Sequence, residues 1–275
     1  MMSYDARPIG VFDSGIGGLT VLRHLMRLMP EEDFVYLGDT ARVPYGNKSP
    51  ETVRLYASQC ASFLQQHNVK MIVVACNTAS ALALDQLRIQ HTIPVLGVID
   101  PAAVQAARVT RTGSIGVIGT RATINSESYV RAITAHAESM RTSIHVRPCP
   151  LFVPLVEEGW IDTPATRLVA EEYIRPLREA GIDTLVLGCT HYPILAPVLA
   201  DLLPGVQLID CGECTAIEAS HIVMRQNPEH RARLSLYVTD NTPAFSTLAA
   251  TFLGRHVDEP VRISIDSFQQ LGAAR

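Results

Sequence analysis

Val69-Lys70-Met71-Ile72-Val73-Val74-Ala75-Cys76-Asn77-Thr78-Ala79 and Ile182-Asp183-Thr184-Leu185-Val186-Leu187-Gly188-Cys189-Thr190-His191-Tyr192 follow one pattern. Each is a short apolar, β-branched run that stops at a cysteine. Each cysteine is followed by two small polar or ionisable residues. Continuous apolar runs of this length fit strands buried on both faces of a parallel sheet. A residue just past such a run stands at the strand's carboxyl end, where open α/β sheets bind ligands. The sequence therefore presents two thiols, one in each half, from two strand ends.

The surrounding chain repeats strand and helix. Ile9 to Phe12 reads as a strand, followed by the turn Asp13-Ser14-Gly15-Ile16-Gly17-Gly18 and a helix from Leu19 to Met29. Such a turn suits an anion, but Thr20 stands where a dinucleotide fingerprint needs its third glycine. The bland alternative is a tight turn with Asp13 or Ser14 capping the helix. Phe34 to Leu37 is the next strand, and it opens into a polar loop from Gly38 to Pro50. A nucleotide-binding fold would use Asp39 of that loop for ribose. A helix over 51–67, the first cysteine strand, a helix over 79–90, a strand over 93–99 and a helix opened by Pro101 complete the first run.

Ser114-Ile115-Gly116-Val117-Ile118 restarts the pattern. A helix is expected over 126–138, a strand over 144–149, a turn-rich segment over 150–159 and a helix over 163–180 ended by Gly181. After the second cysteine strand come a helix near 194–203, a strand over 206–209 and a helix from Asp210 to about 225. A strand over 234–238, a helix over 243–253 and a strand over 261–265 end the chain. The offset from Gly10 to Gly116 is 106 residues and that from Cys76 to Cys189 is 113. Similar offsets at two landmarks indicate two related α/β units. The fold class expected is α/β, with two similar three-layer domains, mainly parallel sheets and the active site in the cleft between them.

Composition removes several functions. The chain has 275 residues, 47% of them apolar, and a net charge of −4 without a basic run, so nucleic acid is not the expected partner. No apolar run reaches the length of a membrane helix and no signal pattern opens the chain, so a soluble, cytoplasmic protein is expected. Six scattered cysteines do not make a disulfide scaffold. Cys211-Gly212-Glu213-Cys214 lacks a second ligand pair and reads as an incidental pair in a loop, so no metal is expected. Lys48 and Lys70 are the only lysines, and neither is well placed for a Schiff base, which argues against pyridoxal phosphate. No cofactor is expected.

The thiolate is the reactive form of cysteine. Two such groups on opposite sides of one carbon can remove a proton from one face and return one to the other, which inverts the centre. Asp13 could exchange a proton with Cys76, and His191 with Cys189. Ser14, Asn77, Thr78, Thr190 and the Tyr45 and Gly46 amides would bind a zwitterion. Singly, each cysteine is more often a small buried hydrophobe. Together, in matched positions with polar followers, they favour catalysis.

Four motifs carry a resemblance: Gly10-Val11-Phe12-Asp13-Ser14-Gly15-Ile16-Gly17-Gly18, Gly38-Asp39-Thr40 through Pro44-Tyr45-Gly46, Ala75-Cys76-Asn77-Thr78-Ala79-Ser80 and Leu187-Gly188-Cys189-Thr190-His191-Tyr192-Pro193. In these the chain resembles the cofactor-independent aspartate/glutamate racemase superfamily, and within it the glutamate racemases, over nearly its whole length. The resemblance implies interconversion of L- and D-glutamate, with D-glutamate supplied for peptidoglycan. It implies that Cys76 takes the Cα proton from D-glutamate and Cys189 from L-glutamate, with Asp13 and His191 beside them. Substrate contacts would come from Asp13, Ser14, Pro44, Tyr45, Gly46, Asn77, Thr78, Thr190 and His191. The resemblance extends to Thr120 and Thr123, and to Glu157. It implies a discontinuous first domain, 1–99 plus 210–275, around a second at 100–209, and leaves room for a homodimer. Aspartate racemase and a non-catalytic amino-acid-binding protein are the alternatives.

Overall fold

The structure, a computed structural model, describes residues 4–137, 142–241 and 245–265. The first run gives β1 (Ile9–Asp13), α1 (Leu19–Leu28), β2 (Phe34–Gly38), α2 (Pro50–Gln66), β3 (Met71–Val74), α3 (Asn77–Gln90), β4 (Val95–Gly97) and α4 (Ile99–Val109). The second gives β5 (Ser114–Gly119), α5 (Arg121–Asn125), α6 (Ser128–His136), β6 (Ser143–Pro148), α7 (Phe152–Glu157), α8 (Pro164–Glu179), β7 (Thr184–Gly188), α9 (Ala196–Leu202) and β8 (Gln207–Asp210). The last part supplies α10 (Cys211–Ile222), β9 (Leu234–Val238), α11 (Phe245–Leu253) and β10 (Val261–Arg262).

Two sheets result, with strand orders β10-β9-β2-β1-β3-β4 and β6-β5-β7-β8. Every strand pair in both is parallel. The segment β2-β1-β3-β4 has the same order as β6-β5-β7-β8, so the echo seen at Gly10 and Gly116 is a repeated topology. The order reverses between β1 and β3 in one sheet and between β5 and β7 in the other. A reversal of this kind opens a crevice at the strands' carboxyl ends. Cys76 follows β3 and Cys189 follows β7, so both thiols stand at such a crevice.

Alternation along the strands divides the core. Phe12, Val35, Leu37, Ile72 and Val74 face α2 and α3, packing with Val53, Leu64 and Leu87. Ile9, Val11, Phe34, Tyr36, Met71 and Val73 face the other way, into a core that continues through Ile115, Val117, Leu185 and Leu187 of the second sheet. One apolar interior thus spans both halves.

Local differences from the expected elements have identifiable causes. The helix expected over 126–138 is two helices, broken where Glu127 takes a left-handed φ of 57°; residue 138 lies outside the described residues. Thr120 caps the first piece through the Thr123 amide. Residues 152–157, expected as turns, form α7, because Pro154 falls in the first turn where its missing N–H is not needed. Pro101 likewise sits in the first turn of a helix that begins at Ile99. Strand β10 is only Val261–Arg262. Residues 243 and 244 of the helix expected over 243–253 lie outside the described residues. Cys211 and Cys214 are in the first turn of α10 rather than a loop. As expected, Ser49 caps α2, accepting from the Thr52 amide, and Gly181 follows α8 with a φ of 67°. Among the described residues no helix is long and apolar enough to cross a membrane.

One buried ion pair ties the N-terminal residues and the segment after α10 to the first sheet. Lys70 Nζ lies 2.6 Å from Glu32 Oε2, with the side chains 2% and 0% exposed. Lys70 also donates to the carbonyls of Asp5 and Met224, and Glu32 accepts from the Gln226 amide. Removing one partner of such a pair strands a charge in the interior. Lys70→Met is expected to lower unfolding stability by about 3–5 kcal/mol, and adding Glu32→Leu to recover most of that loss, as read by urea titration.

Candidate active site

The loop after β1 runs against the second sheet's cysteine strand end. A Cβ built on Gly17 would lie 2.3 Å from Thr190 Oγ1 and 2.6 Å from the His191 ring. Only a bare Cα fits, which gives this glycine a role that its place in a turn did not reveal. Thr20, at the first turn of α1, brings its hydroxyl 2.9 Å from the Thr190 carbonyl. The residue that spoils the dinucleotide fingerprint is therefore a tie between the two halves. Neither Asp13 nor Ser14 caps α1; its N-cap is Gly18, without a side-chain bond. Asp13 instead accepts from the Gly15 amide at 3.0 Å.

A second bridge lies across the cleft. Thr78 Oγ1 is 2.9 Å from Thr120 Oγ1 and 3.2 Å from Thr123 Oγ1, and the latter two are 2.9 Å apart. Gly46 packs on Thr120, where a Cβ would come within 2.8 Å of its Cβ. Thr78, Thr120, Thr123 and Gly46 are thus brought together from both halves. Tyr45 is buried and donates to Asp39, following the Val43–Pro44 cis bond. Asp39 is also held by Arg42 and by the Thr239 hydroxyl. This fully engaged carboxylate has no freedom to bind ribose, so the nucleotide reading loses its acid.

Both candidate thiols are buried, Cys76 at 5% and Cys189 at 7% exposure. Cys76 caps α3, its sulfur accepting from the Ala79 amide at 3.4 Å. Burial first, then the charge of Asp13, push the Cys76 thiol up to about 12, against the opposing bonds from Ala79 and Ser14. The charge of Cys189 adds to this, after those larger causes. Asp13 is itself raised by burial, opposed by the charge of His191 and by the amides of Gly15, Gly18 and Ser14.

His191 sits between two acceptors. Its Nδ1 lies 3.9 Å from Cys189 Sγ and its Nε2 2.9 Å from Glu157 Oε1 on α7. Burial alone would lower the imidazole, but the bonds to Cys189 and Glu157 outweigh it and push His191 up to about 10. The Phe252 ring of α11 meets the imidazole edge-on, centroids 5.2 Å apart. Each cysteine therefore has its own titratable neighbour: Asp13 for Cys76, His191 for Cys189. Cys60, read as core from the sequence, is core, wholly buried beneath Tyr45.

Sequence reasoning missed Phe252, Thr20 and, beside Asn77, Tyr129 and Cys211. The Tyr129 hydroxyl donates to Asn77 Oδ1 at 2.6 Å and lies 2.9 Å from Cys211 Sγ. Nothing local marks these residues, because their meeting depends on three helices from distant parts of the chain. No group of three or more His, Cys, Asp or Glu side chains arranged to hold a metal occurs among the described residues.

The sequence profile of the Asp/Glu/hydantoin racemases matches residues 9–219. The chain belongs to the Asp/Glu/hydantoin racemase family. Within this racemase family it is 48% identical over 268 residues to the glutamate racemase of Syntrophus aciditrophicus, covering 96% of this chain and 98% of that protein. It is 46% identical over 266 residues to the glutamate racemase of Geobacter metallireducens, covering 95% and 98%. Among solved structures, glutamate racemase from Francisella tularensis in complex with D-glutamate superposes with a TM-score of 0.89 at 39% identity, covering 95% of this chain and 99% of that one.

Two outcomes follow from this geometry. Gly17→Ala forces Thr190 and His191 away and is expected to cost about 1–3 kcal/mol of stability, measured by urea unfolding. For His191, the folded value lies above the ordinary 6.5, so the stability from its protonation is complete below about pH 6.5 and is lost as pH rises through about 10. The stability gap between the parent and His191→Gln should therefore shrink from pH 6 to pH 10.

Proposed function

We propose that this chain is a glutamate racemase that inverts Cα with Cys76 and Cys189 as opposed proton carriers. The observation that carries this reading is the matched placement of two buried thiols at the ends of β3 and β7, each beside a different titratable partner. Glutamate as substrate is supported by the names of the relatives and by the D-glutamate bound to the Francisella tularensis enzyme.

The two thiols have unlike surroundings. Cys76, raised to about 12, is a neutral thiol near pH 7 and is ready to donate. The His191 imidazolium, braced by Glu157, stands beside Cys189 and can exchange a proton with it. With L-glutamate bound, the Cys189 thiolate takes the Cα proton and becomes a thiol. The electron pair left at Cα is drawn toward the substrate carboxylate. Cys76 then gives its proton to the opposite face, and D-glutamate leaves with Cys76 as thiolate. The reverse reaction runs from D-glutamate, with Cys76 as base. Asp13, kept protonated to higher pH than an ordinary aspartate, can return a proton to Cys76, and His191 can exchange one with Cys189. Ser14, Asn77, Thr78, Thr190 and the Tyr45–Gly46 backbone line the substrate. In this reading the enzyme works in the cytoplasm and its D-glutamate goes into peptidoglycan.

The test is the formation of D-glutamate from L-glutamate without added cofactor, followed by circular dichroism. Cys76→Ser and Cys189→Ser are each expected to lower kcat/KM by about 10²–10⁴-fold. Parent-like rates in both variants would overturn the two-thiol mechanism, and turnover of aspartate in place of glutamate would overturn the substrate.

A further inference from the structure

Asn77 follows Cys76 and is 3% exposed. Its two amide ends have different fates. Oδ1 accepts from the Tyr129 hydroxyl at 2.6 Å, whereas Nδ2 is buried without a hydrogen-bond partner. A buried amide N–H left unpaired costs stability unless something else takes it up. The group that leaves this donor free is Tyr129. Burial, and then the charges of Cys211, Cys214 and Cys189, keep its phenol well above the ordinary value, so it stays protonated. Its hydrogen has two acceptors within reach, an amide oxygen and a thiol sulfur. The oxygen is the stronger acceptor. Cys211 sends its own hydrogen to the Leu187 carbonyl at 3.2 Å, which leaves its sulfur as a weak alternative. If the Asn77 amide flipped, the tyrosine would lose its oxygen acceptor. Tyr129 thus selects the amide orientation in which the free end is the N–H donor.

The same tyrosine touches the other cysteine strand. A Cβ on Gly188, the residue before Cys189, would lie 3.0 Å from the Tyr129 ring. Tyr129 belongs to α6, Asn77 to α3, Cys211 to α10 and Gly188 to β7. One fully buried side chain therefore spans from the neighbour of Cys76 to the neighbour of Cys189. Building on the racemase reading above, we propose that Tyr129 is a positioning residue for the reaction: its hydroxyl fixes the Asn77 amide with N–H toward the substrate carboxylate, and its ring sets the place of the Cys189 strand end.

The hydroxyl and the ring separate experimentally. Tyr129→Phe keeps the ring against Gly188 and removes only the O–H. Freed to flip, the amide offers its oxygen to a carboxylate part of the time. The expected result is a rise in KM for glutamate of about tenfold, with kcat changed by less than about threefold. A purely structural role of the ring predicts an unchanged KM in Tyr129→Phe, because the ring packing is kept. In the parent, the Asn77 side-chain NH₂ signals should shift on glutamate titration by ¹⁵N NMR, a measurement that stands even where Tyr129→Phe fails to fold. An unchanged KM in a folded Tyr129→Phe, or NH₂ signals unmoved at saturating glutamate, overturns the positioning role while the parent still racemises. A parent that neither binds nor turns over glutamate sinks the functional reading, and this role with it.

Discussion

The contact of Gly17 with Thr190 and His191 governs the site. At that point the first sheet's turn and the second sheet's cysteine strand end approach so closely that a single methyl group has no room. Parallel sheets with their carboxyl ends facing a shared crevice would otherwise hold two unrelated thiols. The bare Cα lets the second strand end sit against the first turn, and Thr20 fastens it there through the Thr190 carbonyl. The threonine trio of Thr78, Thr120 and Thr123 makes a second seam. Cys76 and Cys189 follow the strands that these seams bring together.

Electrostatically the two sulfurs are unlike, although topology makes them equivalent. Cys76 has an acid beside it and is driven toward the thiol by burial and by that acid's charge. Cys189 has an imidazole, which Glu157 holds from the far side. The unlikeness comes from an aspartate at the end of β1 and a histidine two residues past Cys189, within an otherwise repeated frame.

Much of this was legible from sequence. Buried parallel strands are continuous apolar runs, so Met71–Val74 and Thr184–Gly188 announce themselves locally, and a cysteine after each marks a strand end. Gly10 and Gly116 repeat because β1 and β5 hold the same central place in their sheets. What escaped depended on partners far along the chain. Asp39 looked available for a ligand until Arg42, Tyr45 and Thr239 were seen to claim it. Residues 152–157 looked like turns because proline hides a helix's first turn. Tyr129 looked like any helical aromatic, since nothing near it in sequence tells that its hydroxyl meets Asn77.

The order of strands also bears on how the chain is made. The second sheet draws all its strands from one uninterrupted stretch, Ser114 to Asp210, and can be completed as soon as that stretch leaves the ribosome. The first sheet cannot. The outer edge of β2 pairs with β9, with Leu37 opposite Tyr237, two hundred residues later. Until then an apolar parallel edge lies open to any other extended chain. The half that is synthesised first is the half that finishes last.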